Sequence, residues 1–216
     1  MWAGIRRTHG TAPGRKIAAA TTDVLRDAVR GLARAPGPRA LRDRAMLLVG
    51  FAAALRRSEL VALDVRDLRF APEGLVLTLR RSKTDPNGAG AEVAIPFGAG
   101  EVTCPVRAVR AWLAAAGIGA GAVFVSVTRA GRPTGIRLSD RDVARAVKAA
   151  VAAAGYDARD YAGHSLRSGF ATSAARAGVP EAAIMAQTRH RSVAAMRGYV
   201  RRGGLFSDNA AGKVGL

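Results

Sequence analysis

Aromatic residues are scarce, 5% of the 216 residues, which argues against a stacking platform for single-stranded nucleic acid. One cysteine, Cys104, excludes an internal disulfide framework and fits a reducing, cytoplasmic setting. No run of about 18 apolar residues occurs, so no segment reads as a membrane span. The first residues, MWAGIRRTHG, lack the apolar stretch of a secretory signal. There is no Walker loop, no cluster of carboxylates and no Cys/His zinc spacing, which leaves no cofactor or metal motif to read. Acidic residues are also few, 16 against 34 Lys and Arg.

What is present is arginine and alanine. A net charge of +18 on a 22.4 kDa chain is a large positive field, and its natural partner is a polyanion, above all nucleic acid. Genomic bias explains why the only lysines are Lys16, Lys83, Lys148 and Lys213, but trading Lys for Arg does not create an excess of 18. The 49% apolar content supplies a core, and its alanine richness points to closely packed helices.

Residues 1–20, with Gly4, Gly10, Pro13 and Gly14, read as a flexible lead-in. A helix capped by Thr22 or Asp23 is expected to run to about Ala35, and an apolar one over Arg39–Ala54 follows the break APGPR. Ser58 reads as the cap of a short helix. Val65–Phe70, Leu75–Arg81 and Ala91–Pro96 have strand composition, the last two flanking the turn-rich SKTDPNGAGA. Helices are expected again over Pro105–Ala116, Ser139–Ala154, His164–Arg176, Pro180–Gln187 and Val193–Tyr199, with an extended piece at Val123–Val127. The fold class is α+β, mainly α, with a small antiparallel three-stranded sheet on one edge.

Four segments carry candidate chemistry. In AGHSLRSGF, His164 and Arg167 lie three apart, so on a helix both can donate to one phosphate. Alone, the pair reads equally well as a surface His and Arg. Tyr199 follows His190 by nine residues, after Gly198 and among Arg197, Arg201 and Arg202, whose charge favours a phenolate. Alone, it reads as a tyrosine capping an apolar helix face. Arg56, Arg57 and Glu59 cluster in LRRSEL, which also fits a solvated helix junction. Lys83 sits in RSKT at a hairpin tip, where an ammonium, unlike a guanidinium, can release a proton near neutrality.

Taken in order, LRRSEL, RSKT, HSLR and His190–Tyr199 resemble the catalytic domain of the tyrosine recombinases, the phage integrase family, over residues 20–202. The family pattern is Arg, Lys, His-x-x-Arg, His or Trp, and Tyr, filled here by Arg56, Lys83, His164, Arg167, His190 and Tyr199. Two departures stand out. Leu-Gly commonly precedes the second His, whereas Thr188-Arg189 does here, a change expected to alter the local turn rather than the chemistry. Family members also carry an N-terminal helical clamp, for which residues 1–20 are too short.

The resemblance implies that Tyr199 attacks a backbone phosphorus while Arg56, Arg167 and His190 stabilise the non-bridging oxygens. His164 accepts or steers the tyrosine proton, Lys83 protonates the leaving 5′-oxygen, and Glu59 supports Arg56 from behind. Neither ATP nor a metal is required. The expected partners are double-stranded DNA and, on it, further copies in a tetrameric synapse, with a monomer free of DNA and a nucleoid-associated, cytoplasmic location. Arg80, Arg81, Arg129, Arg132, Arg137, Arg141 and Arg145 are candidates for contact with DNA, by default with phosphate. Residues 203–216 are expected to form a tail that docks on a neighbouring protomer. Two rival readings are a type IB topoisomerase, which shares this chemistry, and a non-catalytic regulator, because segment 170–200 superficially resembles a helix-turn-helix.

Overall fold

The computed structural model describes residues 17–80 and 90–190, together with Ser192 and Gly198. Seven helices and five strands lie among the described residues. In chain order these are α1 (Thr22–Arg34), α2 (Pro38–Ala52), α3 (Arg57–Ala62), β1 (Leu68–Ala71), β2 (Gly74–Leu79), β3 (Ala91–Pro96), α4 (Pro105–Ala116), β4 (Val125–Val127), β5 (Pro133–Arg137), α5 (Asp140–Ala153), α6 (Ser165–Arg176) and α7 (Glu181–Thr188).

The hub is α2. Its run Ala45–Gly50 is buried on every side, as expected of a helix apolar all round. Around it pack α1 through Val24, Leu25, Ala28 and Val29, α4 through Val106, Val109 and Trp112, and α6. The indole of Trp112, fully buried, donates to the Val123 carbonyl at 2.8 Å, so the largest core side chain leaves no polar atom unpaired. The order β1-β2-β3 is antiparallel throughout, with Leu75 opposite Ile95 and Leu77 opposite Val93. The two-residue period puts Leu75, Leu77, Leu79, Val93 and Ile95 on the covered face.

Several boundaries differ from the sequence expectation. Ser58 lies inside α3 and the cap is Arg56, because the Glu59 carboxylate turns back to the Arg56 backbone N–H and does the capping itself. The strand expected over Val65–Phe70 begins as a 3-10 turn, Val65–Asp67, where the Asp67 carboxylate accepts from the Asp64 N–H. β5, pairing with β4 as a second hairpin, was not foreseen, since PTGIR lacks strand alternation. Within the expected lead-in, Ala18 and Ala20 are tied down, their N–H groups donating to Asp160 (2.7 Å) and Ser165 (2.9 Å). Gly169 makes this approach possible, for a Cβ there would lie 1.9 Å from the Ala20 carbonyl oxygen. The helix expected over Val193–Tyr199 lies outside the described residues apart from Gly198, which is helical.

Candidate active site

The site forms where α2 ends. A helix C-terminus leaves carbonyls without intrahelical partners, and here the last carbonyl of α2 and the two that follow it are taken by side chains from the C-terminal third of the chain. Gln187 Nε2 donates to Ala52 (2.8 Å), Arg189 Nη1 to Ala53 (3.1 Å) and Arg167 Nη1 to Ala54 (2.6 Å). Two of the three donors are cations, which also suit the negative end of the helix dipole. To aim its carbonyl this way Ala54 adopts φ 47°, a left-handed backbone unusual for a residue with a Cβ.

Arg56 follows immediately. Its backbone N–H donates to Glu59 Oε2 at 2.9 Å and its Nη1 to Oε1 at 2.6 Å. The Glu59 carboxylate is buried, and Arg189 Nη2 binds the same Oε2 at 2.9 Å. Burial pushes the Glu59 carboxyl up, but the Arg56 N–H and the two guanidinium groups outweigh it and hold it below its ordinary value.

His164 is the N-cap of α6 and Arg167 stands in the helix's first turn, almost fully buried at 1% exposure. Gly163 lets the stem of Arg57 lie against this corner, since a Cβ there would be 2.0 Å from Arg57 Cδ. On the far side, α7 ends at Thr188, and Arg189 turns the chain at φ 55°, ψ 42° before His190. The Thr188 hydroxyl has one hydrogen, which goes back to the Ile184 carbonyl at 2.7 Å. Its oxygen is therefore the acceptor for His190 Nδ1, also at 2.7 Å. In the neutral ring that leaves the proton on Nδ1 and a lone pair on Nε2.

Both imidazoles titrate below the ordinary histidine value. For His164 the causes are burial, then Arg167, Arg56 and Arg57; for His190, held down to about 4, they are burial, then Arg167, Arg56, His164 and Arg189. Each ring thus feels both Arg56 and Arg167. The structure brings together four residues of the expected set, Arg56, His164, Arg167 and His190, and puts Glu59 behind Arg56. Lys83, Arg81 and Tyr199 lie outside the described residues.

Of the arginines expected on DNA, Arg80 and Arg137 are engaged within the fold. Arg80 Nη2 lies 2.6 Å from both Asp64 and Asp67, while Arg137 binds the Asp64 carboxylate and, at 2.7 Å, the Val61 carbonyl. The Arg137 and Arg80 hydrogen bonds hold the Asp64 carboxyl down to about 2. Arg132, in the turn between β4 and β5, and Arg141, in the first turn of α5, are exposed. Three contributors went unread in the sequence: Gln187, Thr188 and Arg189. The signal for the last two was the replacement of Leu-Gly. The turn is of the left-handed kind that glycine takes freely, and the Arg189 and Thr188 side chains make contacts there that Gly and Leu could not.

The phage integrase family model matches residues 21–203. The integrase/recombinase xerD homolog of Selenomonas ruminantium is 44% identical over 174 residues, 81% of this chain and 51% of that protein, so the chain spans about half the relative's length. Among solved structures, the XerH site-specific recombinase in its post-cleavage DNA complex matches with TM-score 0.73 and 14% identity, over 93% of this chain and 54% of that one. A lambda integrase dimer bound to a core site matches with TM-score 0.63 and 17% identity, over 95% and 54%. These likenesses establish the helical fold with its three-stranded sheet as that of tyrosine recombinase catalytic domains. On the family match and the close relative together, this chain belongs to the phage integrase family, the tyrosine recombinases.

Proposed function

We propose that this chain is the catalytic domain of a site-specific DNA recombinase that cuts and rejoins duplex DNA through a 3′-phosphotyrosine. One observation carries the reading: Arg56, His164, Arg167 and His190 converge at the end of α2, each imidazole within the field of both guanidinium groups. Such a set fits a single phosphodiester. Arg56 and Arg167 stabilise the charge that builds on the non-bridging oxygens, with His190 facing the same group through Nε2. Tyr199 Oη attacks phosphorus, forming the P–O(Tyr) bond as the bond to the 5′-oxygen breaks. His164, neutral because burial and its cationic neighbours hold its proton affinity down, takes the tyrosine proton. Lys83 delivers a proton to the departing 5′-oxygen. Attack by a 5′-hydroxyl of a partner strand reverses the step, so the energy of the broken bond is conserved and no ATP is consumed.

Double-stranded DNA is the substrate, which puts the protein at the nucleoid, monomeric until DNA assembles it. The lambda integrase tetramer bound to a Holliday junction, TM-score 0.60, is the model for synapsis here. Exposed Arg132 and Arg141 contact phosphates. Arg80 and Arg137 brace β2 and β5 against Asp64, and meet DNA with the edges of their guanidinium groups.

The decisive test is a nicked suicide duplex, selected from a randomised pool, whose short fragment diffuses away after cleavage. A covalent protein–DNA adduct is expected, lost in Tyr199→Phe with binding retained. Lys83→Ala should regain cleavage on a substrate with a good 5′-leaving group. Binding without any adduct favours the regulator, and relaxation without exchange between two plasmids favours the topoisomerase.

A further inference from the structure

The structure assigns Arg189 a positioning role: it joins the half-site that carries Arg56 to the half-site that carries His190. The inference rests on the recombinase reading above. Three observations support it. First, Arg189 is placed between the two halves. It immediately precedes His190, its Nη1 donates to the Ala53 carbonyl at 3.1 Å and to the Gln187 carbonyl at 3.0 Å, and its Nη2 donates to Glu59 Oε2 at 2.9 Å. Second, that same Glu59 oxygen accepts the backbone N–H of Arg56, while Oε1 takes Arg56 Nη1 at 2.6 Å. Third, the residue is held under conditions that do not favour an arginine. Its backbone is left-handed, its side chain is 15% exposed, and its Nε has no hydrogen-bond partner among the described residues. A glycine would satisfy the turn without these demands.

The electrostatics say what the arginine adds. Arg56 and Glu59 alone make a neutral pair, whose field at a nearby phosphate largely cancels. A second guanidinium on Glu59 leaves the trio with one net positive charge. Arg56 then faces the phosphate with its charge less cancelled, in a buried setting where such a difference is felt strongly. The same contact fixes the chain one residue before His190, so its imidazole and the Arg56 guanidinium keep one mutual geometry. Arg189 itself acts through Glu59 and the backbone, not on the substrate.

The test compares Arg189→Gly, Arg189→Lys, Glu59→Gln and the double variant Glu59→Gln/Arg189→Gly with the unaltered chain. Single-turnover cleavage of the selected suicide duplex at saturating DNA is read beside the Kd for that duplex, at a temperature where circular dichroism finds every variant folded. Arg189→Gly should slow cleavage by about tenfold or more with Kd changed less than about twofold, the mark of an interaction needed in the transition state. Arg189→Lys should recover part of the rate. Adding Arg189→Gly to Glu59→Gln should cost less than it does alone, because its partner is already gone. A purely structural turn residue predicts the reverse: Arg189→Gly, better suited to the left-handed turn, cleaves at the original rate. That result overturns the inference, as do fully additive losses or an equal fall in rate and affinity. If the unaltered chain forms no adduct, the recombinase reading itself has failed; if both chains form it at equal rates, only the role of Arg189 has.

Discussion

Thr188 is a buried hydroxyl two residues ahead of His190, and its role can be worked out from donor counting. Its hydrogen goes to the Ile184 carbonyl and its oxygen accepts from His190 Nδ1, so this buried hydroxyl sets which nitrogen of the neutral ring carries the proton. Replacing the hydroxyl by a methyl removes both bonds at almost unchanged volume. One hydrogen bond of about 1 kcal/mol, lost from the orientation of a group that the recombinase reading places in the transition state, corresponds to about a fivefold slower step. Thr188→Val is expected to cleave the suicide duplex about fivefold more slowly at saturating DNA, with Kd unchanged, and Thr188→Ser to stay near the original rate. Equal rates in all three would mean that the imidazole is held by something other than this bond.

The chain at the end of α2 is where the candidate site gathers, because residues from α6, α7 and the turn after α7 are all captured by the Ala52, Ala53 and Ala54 carbonyls. Ala54 accepts an unfavourable backbone for this, and the strain is removable. A left-handed backbone costs a residue with a Cβ about 1–2 kcal/mol, and glycine's greater freedom in the unfolded chain takes back about 0.5–1 kcal/mol. Ala54 is also fully buried, so losing its methyl costs about 0.8 kcal/mol, the terms nearly cancel, and Ala54→Gly should leave Tm within about 3 °C of the original value. A fall of more than about 5 °C would mean that φ 47° is not strained at this position. How much of this was legible in the sequence differs from element to element. α4 and β3 were read to the residue, since Pro105 opens the helix, Gly117 closes it in a left-handed cap, and the strand alternates. The capture of these carbonyls by Arg167, Gln187 and Arg189 was not legible, because sequence periodicity says which face of a helix is buried but not which distant side chain will find the carbonyls at its end. Nor was the cap of α3: Ser58 is the better intrinsic cap, yet Glu59, buried between two arginines, takes that part because tertiary charge pairing outweighs local preference. Arg56, His164, Arg167 and His190 were legible through motif order, which a family preserves even where spacing in sequence hides proximity in space.

At the scale of the whole molecule, a chain of net charge +18 has gathered several cations around two imidazoles, and this makes both folding and binding depend on pH. His190 is held down to about 4 and His164 is lowered too, both principally by burial, so the fold favours their neutral forms. Between about pH 4 and the ordinary histidine value near 6.5 the unfolded chain binds more protons, and stability falls as the pH drops through that window. The carboxylates act lower. Glu59 is depressed, and Asp64 and Asp142 are held to about 2, so their stabilisation is present above the ordinary carboxyl range and is lost as pH falls below it. Asp43, raised by burial despite Arg42, works weakly the other way. On the recombinase reading, a phosphodiester entering the cluster reverses the balance at His190, because an anion close to that ring favours imidazolium and gives Nε2 a hydrogen to donate, while His164, which faces the tyrosine, stays neutral to take its proton. Binding should then take up a proton where the free His190 ring is neutral and the bound ring is charged. Titration calorimetry with the suicide duplex and inactive Tyr199→Phe, run at about pH 6 in two buffers of different ionisation enthalpy, should detect net proton uptake that fades towards about pH 8. His190→Gln should remove most of it. Uptake that is absent at about pH 6, or unchanged in His190→Gln, would mean that the phosphate does not reach the ring, and that His190 acts without being charged by its substrate.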